Sequence, residues 1–368
     1  MLKRIYIDNF RCLVNFELAV DPINLFLGPN GAGKSSVFDV LRAIQTFVTS
    51  ANQSPRIFTG DDLTRWQTSP VQRFELEIEG NEGVYKYELG LTYTQQRERQ
   101  QAQVMHERLW FNNDPVLRFE SGNVQLYRDD GAEGQRFSFG TNQSVLAIQS
   151  SRPEYTRLNW FIERMKRFLI VRINPIMMTG ESRQEEMQPS YTMENFASWY
   201  RYIYQDQGKA ITITNALKDV LNGFSHFKFD MAGQQHRLLK LYFSRDSGSP
   251  LEFRLDELSD GERALIALYM LIYYARSEDY TLCIDEPENF LALAEIQPWL
   301  TLLYDVCGDG ELQALLISHH PELINYLATS AGYWFERESG TPVRVKRITE
   351  DDSGVSIAEL IARGWLHG

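Results

Sequence analysis

The segment GPNGAGKS, Gly28 to Ser35, fits G-x-x-x-x-G-K-[ST] in full. It follows the apolar run INLFL at 23–27 and precedes SVFDVLRAIQTFV, whose apolar residues recur at helical spacing. A buried strand that passes through a glycine-rich turn into a helix confines this end of the chain to an α/β architecture. Gly31 and Gly33 let backbone N–H groups turn toward one point, and the helix N-terminus adds its positive dipole end. The pattern predicts a phosphate cradle of Gly28, Asn30, Gly31, Ala32, Gly33, Lys34, Ser35 and Ser36. Lys34 is placed to reach β- and γ-phosphates, and the Ser35 hydroxyl to ligate Mg²⁺.

The rest of the chain reads in three stretches. Strands are expected at 2–8 and 14–20, with loop at 49–70. Over 72–140, alternating runs such as RFELEIEG and YKYELGLTY, broken by Gly, Asn and Asp, predict an antiparallel meander. Helices are expected at 154–167, 194–205 and 209–222, a strand at 168–173, a long loop at 174–192, and further strands between 226 and 254. The last third alternates helix and strand: helix 261–276, strand 280–285, helix 294–307, strand 312–318, a helix from Pro321, strands within 332–347, and a helix at 356–363. This predicts a split core formed by 1–48 and 226–368, a β-rich lobe at 72–140 and a mainly helical insertion at 141–225.

Hydrophobic residues make up 43% and aromatics 12% of 368 residues, enough for packed cores and unlike a disordered chain. A net charge of −12 excludes a chain that is basic throughout, though not a local basic groove. Cys12, Cys283 and Cys307 have no metal-like spacing, which points to a reducing compartment, the cytoplasm. The start MLKRIYIDNF lacks the apolar centre of a signal peptide, and no apolar run is long enough for a bilayer, so no membrane partner is expected.

Two more strand ends carry chemistry. YTLCIDEPEN ends in an acid pair, with Asp285 placed to hold Mg²⁺ and Glu286 to orient or deprotonate an attacking water. Glu288 and Asn289 follow, expected at a seam between subunits. LQALLISHHPEL ends in two histidines. His319 comes first and is the one expected at a γ-phosphate; His320 would point the opposite way in extended backbone. His106, His226, His236 and His367 have no such setting.

The stretch ELSDGERALIAL raises a different question, because its Ser259, Asp260, Gly261 and Glu262 open a second helix. One reading is a capping box, with Ser259 at the cap and Glu262 three positions on. The other is a second anion-binding helix start. The two are compatible.

The order of phosphate loop, LSDGE, acid pair and histidine resembles the ABC-class ATPases, with LSDGE similar to their signature motif. IDNFRCL, DEPEN and ISHHPELI narrow the resemblance to the RecF/OLD-like, SMC-related group, which includes AAA-type ATPase subunits of bacterial anti-phage defence systems. It rests on about 1–48 and 250–330. It implies a P-loop NTPase core of the ABC type, a mixed sheet flanked by helices. It also implies ATP and Mg²⁺ as ligands, catalysis by Glu286, Lys34 and His319, and a head-to-tail homodimer in which Ser259 and Gly261 touch the partner's ATP.

Departures are informative. No heptad stretch suggests the coiled coils of SMC proteins. The stretch after His319 is shorter than the nuclease domain of OLD proteins, and FLALAEIQP stands where many relatives have LHP. The family's Q-loop glutamine has no clear position, with only Gln149 and Gln72 on offer. The expected role is a nucleotide-driven sensor or switch that controls a separate effector, a nuclease, in anti-phage or anti-plasmid defence. The alternative is a RecF-like repair ATPase that clamps DNA, for which Arg157, Arg164, Lys166, Arg167 and Arg172 supply a basic stretch; the competing reading of that stretch is a solvated helix face. A transporter motor is disfavoured, because Glu262 stands where those domains usually carry glutamine, and a small-molecule kinase would not need LSDGE.

Overall fold

The structure, a computed structural model, describes residues 1–96, 99–148, 152–233, 235–245, 248–276, 278–338, 340–348 and 357–362. In chain order the strands are β1 (Leu2–Asp8), β2 (Phe16–Ala19), β3 (Ile23–Leu27), β4 (Val71–Gly80), β5 (Gly83–Gln96), β6 (Arg99–Phe111), β7 (Asp114–Glu120), β8 (Asn123–Tyr127), β9 (Glu133–Ser138), β10 (Phe168–Val171), β11 (Glu181–Ser182), β12 (Phe224–Met231), β13 (Arg237–Phe243), β14 (Leu251–Arg254), β15 (Thr281–Asp285), β16 (Gln313–Ile317), β17 (Gly332–Glu336) and β18 (Arg344–Arg347). The α-helices are α1 (Lys34–Thr49), α2 (Ser54–Ile57), α3 (Thr156–Lys166), α4 (Phe196–Ile203), α5 (Gln207–Val220), α6 (Asp260–Ala275), α7 (Leu293–Gly308), α8 (Pro321–Ala331) and α9 (Ile357–Ala362). The elements expected from periodicity are present. The short α2 and the two-residue β11 fall inside stretches read as loop, since neither is long enough to show a period.

The chain divides into two compact units, one of Met1–Phe168 with Ser330–Glu350, the other of Leu169–Thr329 with Asp351–Gly368. The first unit carries an eight-stranded sheet in the order β2-β1-β4-β5-β6-β7-β8-β9. Every neighbouring pair in it is antiparallel. Strict alternation buries Phe74, Leu76 and Ile78 of β4 and Tyr85, Tyr87, Leu89 and Leu91 of β5 on one face, as a sheet with one wet side requires. The register slips between Gly90 and Leu91, and a Cβ on Gly90 would lie 2.3 Å from the His106 ring. Here glycine makes room for the histidine across the ladder. In the same unit β3 pairs in parallel with β17, and β17 antiparallel with β18. Helix α1 buries Val37, Phe38, Leu41, Ile44 and Phe47. Phe26 of β3 meets Phe38 and Phe335 at ring-centroid distances of 5.9 and 5.0 Å.

The second unit pairs β15 in parallel with β16, from Thr281 opposite Gln313 to Asp285 opposite Ile317, and β10 lies beside β15. All five residues of β15 and of β16 are buried, which explains why both read as mainly apolar runs; the Thr281 hydroxyl donates to Gln313 Oε1 at 3.0 Å. A smaller antiparallel sheet joins β11, β12 and β14 to β13. Trp199 of α4 is fully buried and meets Tyr274 of α6 edge-on at 5.2 Å. Cys12, Cys283 and Cys307 are free and buried. No helix among the described residues is long and apolar enough to cross a membrane.

Candidate nucleotide site

In the first unit, the chain leaves β3 at Gly28 and enters α1 at Lys34. Gly28, Gly31 and Gly33 all have positive φ, of 136°, 79° and 94°. Two of them are also needed for space. A Cβ on Gly28 would lie 2.1 Å from the Phe335 carbonyl oxygen, and one on Gly33 would lie 2.8 Å from both Cys12 Sγ and Val343 Cγ2. A Cβ on Gly31 would meet nothing within 4 Å, so the loop apex is open where a ligand would approach. Lys34 is only 5% exposed, and its Nζ donates to the Gly28 carbonyl at 2.6 Å and the Pro29 carbonyl at 3.0 Å. The ammonium is thereby held inside the loop. Asn30 is exposed, Ala32 is buried with its N–H on the Pro29 carbonyl, and the Ser36 N–H reaches the Gly33 carbonyl. Ser35 stands exposed in the first turn of α1. This cradle fits a polyphosphate.

Sequence reading missed a brace on this loop. Arg337 Nη1 donates to the Gly31 carbonyl at 3.2 Å, and its guanidinium lies 5.0 Å from the Trp66 ring centroid. Trp66 Nε1 in turn donates to the Gly340 carbonyl. The contacts join positions far apart in sequence and leave no periodic trace.

In the second unit, β15 ends at the buried Asp285, and Glu286 follows with φ 56°, a left-handed conformation unusual for glutamate. Its N–H donates to the Ile317 carbonyl at 2.8 Å. Its Oε2 accepts from Arg172 Nη2 at 2.8 Å and from Asn289 Nδ2 at 2.9 Å. Burial alone would lower the Arg172 pKa, but the charges of Glu286 and Asp285 outweigh it and hold the guanidinium above its ordinary value. Glu288 turns toward the neighbouring strand end: Oε1 accepts from Ser318 Oγ at 2.7 Å and from the His319 N–H at 3.1 Å. Its Oε2 is buried and takes no hydrogen bond from the described residues. His319 is exposed at the end of β16, while His320 Nδ1 accepts from the Glu322 N–H in the first turn of α8.

The LSDGE segment starts α6 in the same unit. Ser259 Oγ accepts from the Glu262 N–H at 3.2 Å, and Glu262 Oε2 accepts from the Ser259 N–H at 2.9 Å and hydroxyl at 2.8 Å. The capping box is therefore formed. Asp260 pairs with Arg263 at 2.5 Å. A Cβ on Gly261 would lie 3.0 Å from the Phe290 carbonyl oxygen, so the helix start packs directly on the loop that follows the acid pair.

Other sequence candidates go elsewhere. Gln72 is buried in the eight-stranded sheet, bonded to the Asn9 carbonyl and the Tyr93 hydroxyl, and is no Q-loop residue. Gln149 and His367 lie outside the described residues. His106 lies beside Glu88, and His226 stacks on Tyr242. The basic stretch is not a row of cations on one open face. Arg164 is 1% exposed, with its guanidinium 4.8 Å from the Phe168 ring centroid. Arg157 covers Phe111, Lys166 pairs with Glu163, and Arg172 holds Glu286.

Residues 23–325 match the protein family described as "AAA domain, putative AbiEii toxin, Type IV TA system". The chain belongs to this family. It is 22% identical over 366 residues to an OLD nuclease of Thermus scotoductus, covering 96% of this chain and 65% of that protein, so the chain spans less than two thirds of this relative. Among solved structures it is similar to an SMC head bound to the C-winged helix domain of ScpA, with TM-score 0.55, 11% identity, and coverage of 95% of this chain and 98% of that one. That likeness concerns the fold alone, a P-loop NTPase fold. Among the described residues no group of three or more His, Cys, Asp or Glu could hold a metal. Mg²⁺ bound by one hydroxyl, one carboxylate and phosphate oxygens needs no such group.

Proposed function

We propose that the protein binds and hydrolyses ATP as a head-to-tail dimer and works as a nucleotide-driven switch. The Lys34 ammonium and the backbone N–H groups of Gly31, Gly33, Lys34 and Ser35 bind the phosphates. Ser35 and Asp285 hold Mg²⁺, which offsets phosphate charge when bound. Glu286 orients the attacking water, and His319 reads the γ-phosphate. Ser259 and Gly261 of a second copy close on the nucleotide.

The observation that carries this reading is the exposed Ser259 at the start of α6, a second helix N-terminus in a chain whose phosphate loop already has its own. The capping box does not oppose it, since a phosphate would replace the Glu262 carboxylate as the anion at the cap. We further propose that closure gates an effector, a nuclease, in cytoplasmic anti-phage or anti-plasmid defence. The relationship to an OLD nuclease supports the choice of effector. The DNA-clamp alternative draws less support from the basic stretch, since Arg164 is buried and Arg157, Lys166 and Arg172 each have a partner of their own.

The deciding measurement is the solution mass of Glu286→Gln with and without ATP and Mg²⁺. A doubling with ATP that is lost on adding Ser259→Arg is expected. A mass that ATP leaves unchanged at one subunit would overturn the dimer reading.

A further inference from the structure

The Glu286 carboxylate is held more firmly than a strand-end side chain needs to be. Its backbone is tied to β16 through the Ile317 carbonyl and kept at φ 56°. The turn that follows is closed by the Asn289 N–H on the Glu286 carbonyl at 3.2 Å. Both side-chain donors, Arg172 Nη2 and Asn289 Nδ2, converge on one oxygen, Oε2. Among the described residues none donates to Oε1. Arg172 follows β10, and its own N–H is anchored on the Tyr191 carbonyl at 2.7 Å. The clamp thus reaches Glu286 from two sides, one local in sequence and one 114 residues away.

We propose that Arg172 is a positioning residue for hydrolysis: with Asn289 it fixes Oε2 of Glu286 and leaves Oε1 facing the attacking water. The proposal rests on Glu286 being the water-orienting carboxylate, as proposed above. Two physical effects combine. Water attack requires the accepting oxygen within a few tenths of an ångström of a near-attack position, and two donors on the other oxygen restrict rotation of the carboxylate. A carboxylate beside a polyphosphate also suffers like-charge repulsion, which an adjacent guanidinium reduces. Stability is a poor alternative explanation, because the Arg172 side chain is 53% exposed and so open an ion pair adds little to folding. A neutral replacement is therefore expected to fold.

The test uses the full chain and steady-state ATP turnover of Arg172→Gln, Arg172→Lys, Asn289→Ala and the Arg172→Gln/Asn289→Ala double variant, with Glu286→Gln as reference. Binding of a fluorescent ATP analogue and melting temperature check fold and nucleotide affinity. Arg172→Gln is expected to lower kcat by about tenfold or more with KM within about twofold. Arg172→Lys should recover part of the loss by restoring charge without the fork, and the double variant should approach Glu286→Gln. If Glu286→Gln is inactive but Arg172→Gln turns over within about twofold of wild type, the positioning role is wrong and the Glu286 assignment stands. A rise in KM at unchanged kcat would also overturn it, by placing Arg172 on the nucleotide. Wild-type turnover by Glu286→Gln would instead remove the assignment on which the proposal rests.

Discussion

Glu107 shows how much of a residue's behaviour its surroundings set. It lies in β6, fully buried, and accepts hydrogen bonds from Tyr87 Oη at 2.9 Å, Ser144 Oγ at 2.6 Å and the Val145 N–H at 2.8 Å. Burial raises its pKa from 4.5 to about 7 against the pull of those three donors. The folded pKa exceeds the unfolded one, so the stability Glu107 contributes is complete below about 4.5 and is lost as pH rises through about 7. Denaturation of wild type and Glu107→Gln across pH 4 to 8 tests this. Wild type should lose stability relative to the variant on the order of 3 kcal/mol across that window. Parallel curves would show that folding leaves the pKa of this carboxylate unshifted. No periodic pattern announces this residue, since a glutamate in an alternating strand is normally on the wet face. The role of Arg172 is hidden for a related reason: beside Arg167 and Lys166 it looks like part of a cationic run, and its partner Glu286 is distant in sequence.

At the scale of elements, local rules carried most of the information. The phosphate loop, β3 and α1 follow from apolar runs and glycine spacing, and β15 and β16 from mainly apolar stretches ending in polar residues. The start of α6 was legible as a capping box, and the structure forms it with both reciprocal bonds. Ser259→Ala should therefore destabilise by about 1 kcal/mol, measured by urea unfolding. It should also weaken ATP-driven dimerisation. Glu262→Ala, which leaves the hydroxyl in place, should produce the stability loss with a smaller effect on dimerisation. Equal effects of both variants on dimerisation would reduce Ser259 to a helix cap. Element boundaries were less legible: β11 and α2 exist because neighbouring elements supply their partners, and two to four residues hold no period.

At the scale of the whole molecule, ligand linkage gives the broadest test. A nucleotide that binds only the folded chain stabilises it by about 2.7 kcal/mol at a hundredfold excess over Kd. ATP with Mg²⁺ should raise the melting temperature of the wild-type chain by several degrees. Lys34→Ala should abolish the rise, because removing the ammonium leaves the Gly28 and Pro29 carbonyls facing the phosphates without the cation that now covers them. An equal rise in both proteins would place the nucleotide elsewhere.

The sequence by itself determined the α/β class, the phosphate loop, the acid pair at the end of β15, the helix start at Ser259 and the antiparallel meander. These depend on spacing along the chain, through strand and helix periodicity and glycine's freedom at positive φ. Tertiary structure alone decided which side chains meet. Glu288 turns to Ser318 and His319, Arg172 takes Glu286, and Arg337 with Trp66 braces the Gly31 carbonyl. It also returned Ser330–Glu350 to the unit built by the first 168 residues. Such contacts join residues that local propensity treats as independent, and burial and charge select them only once the strands have paired.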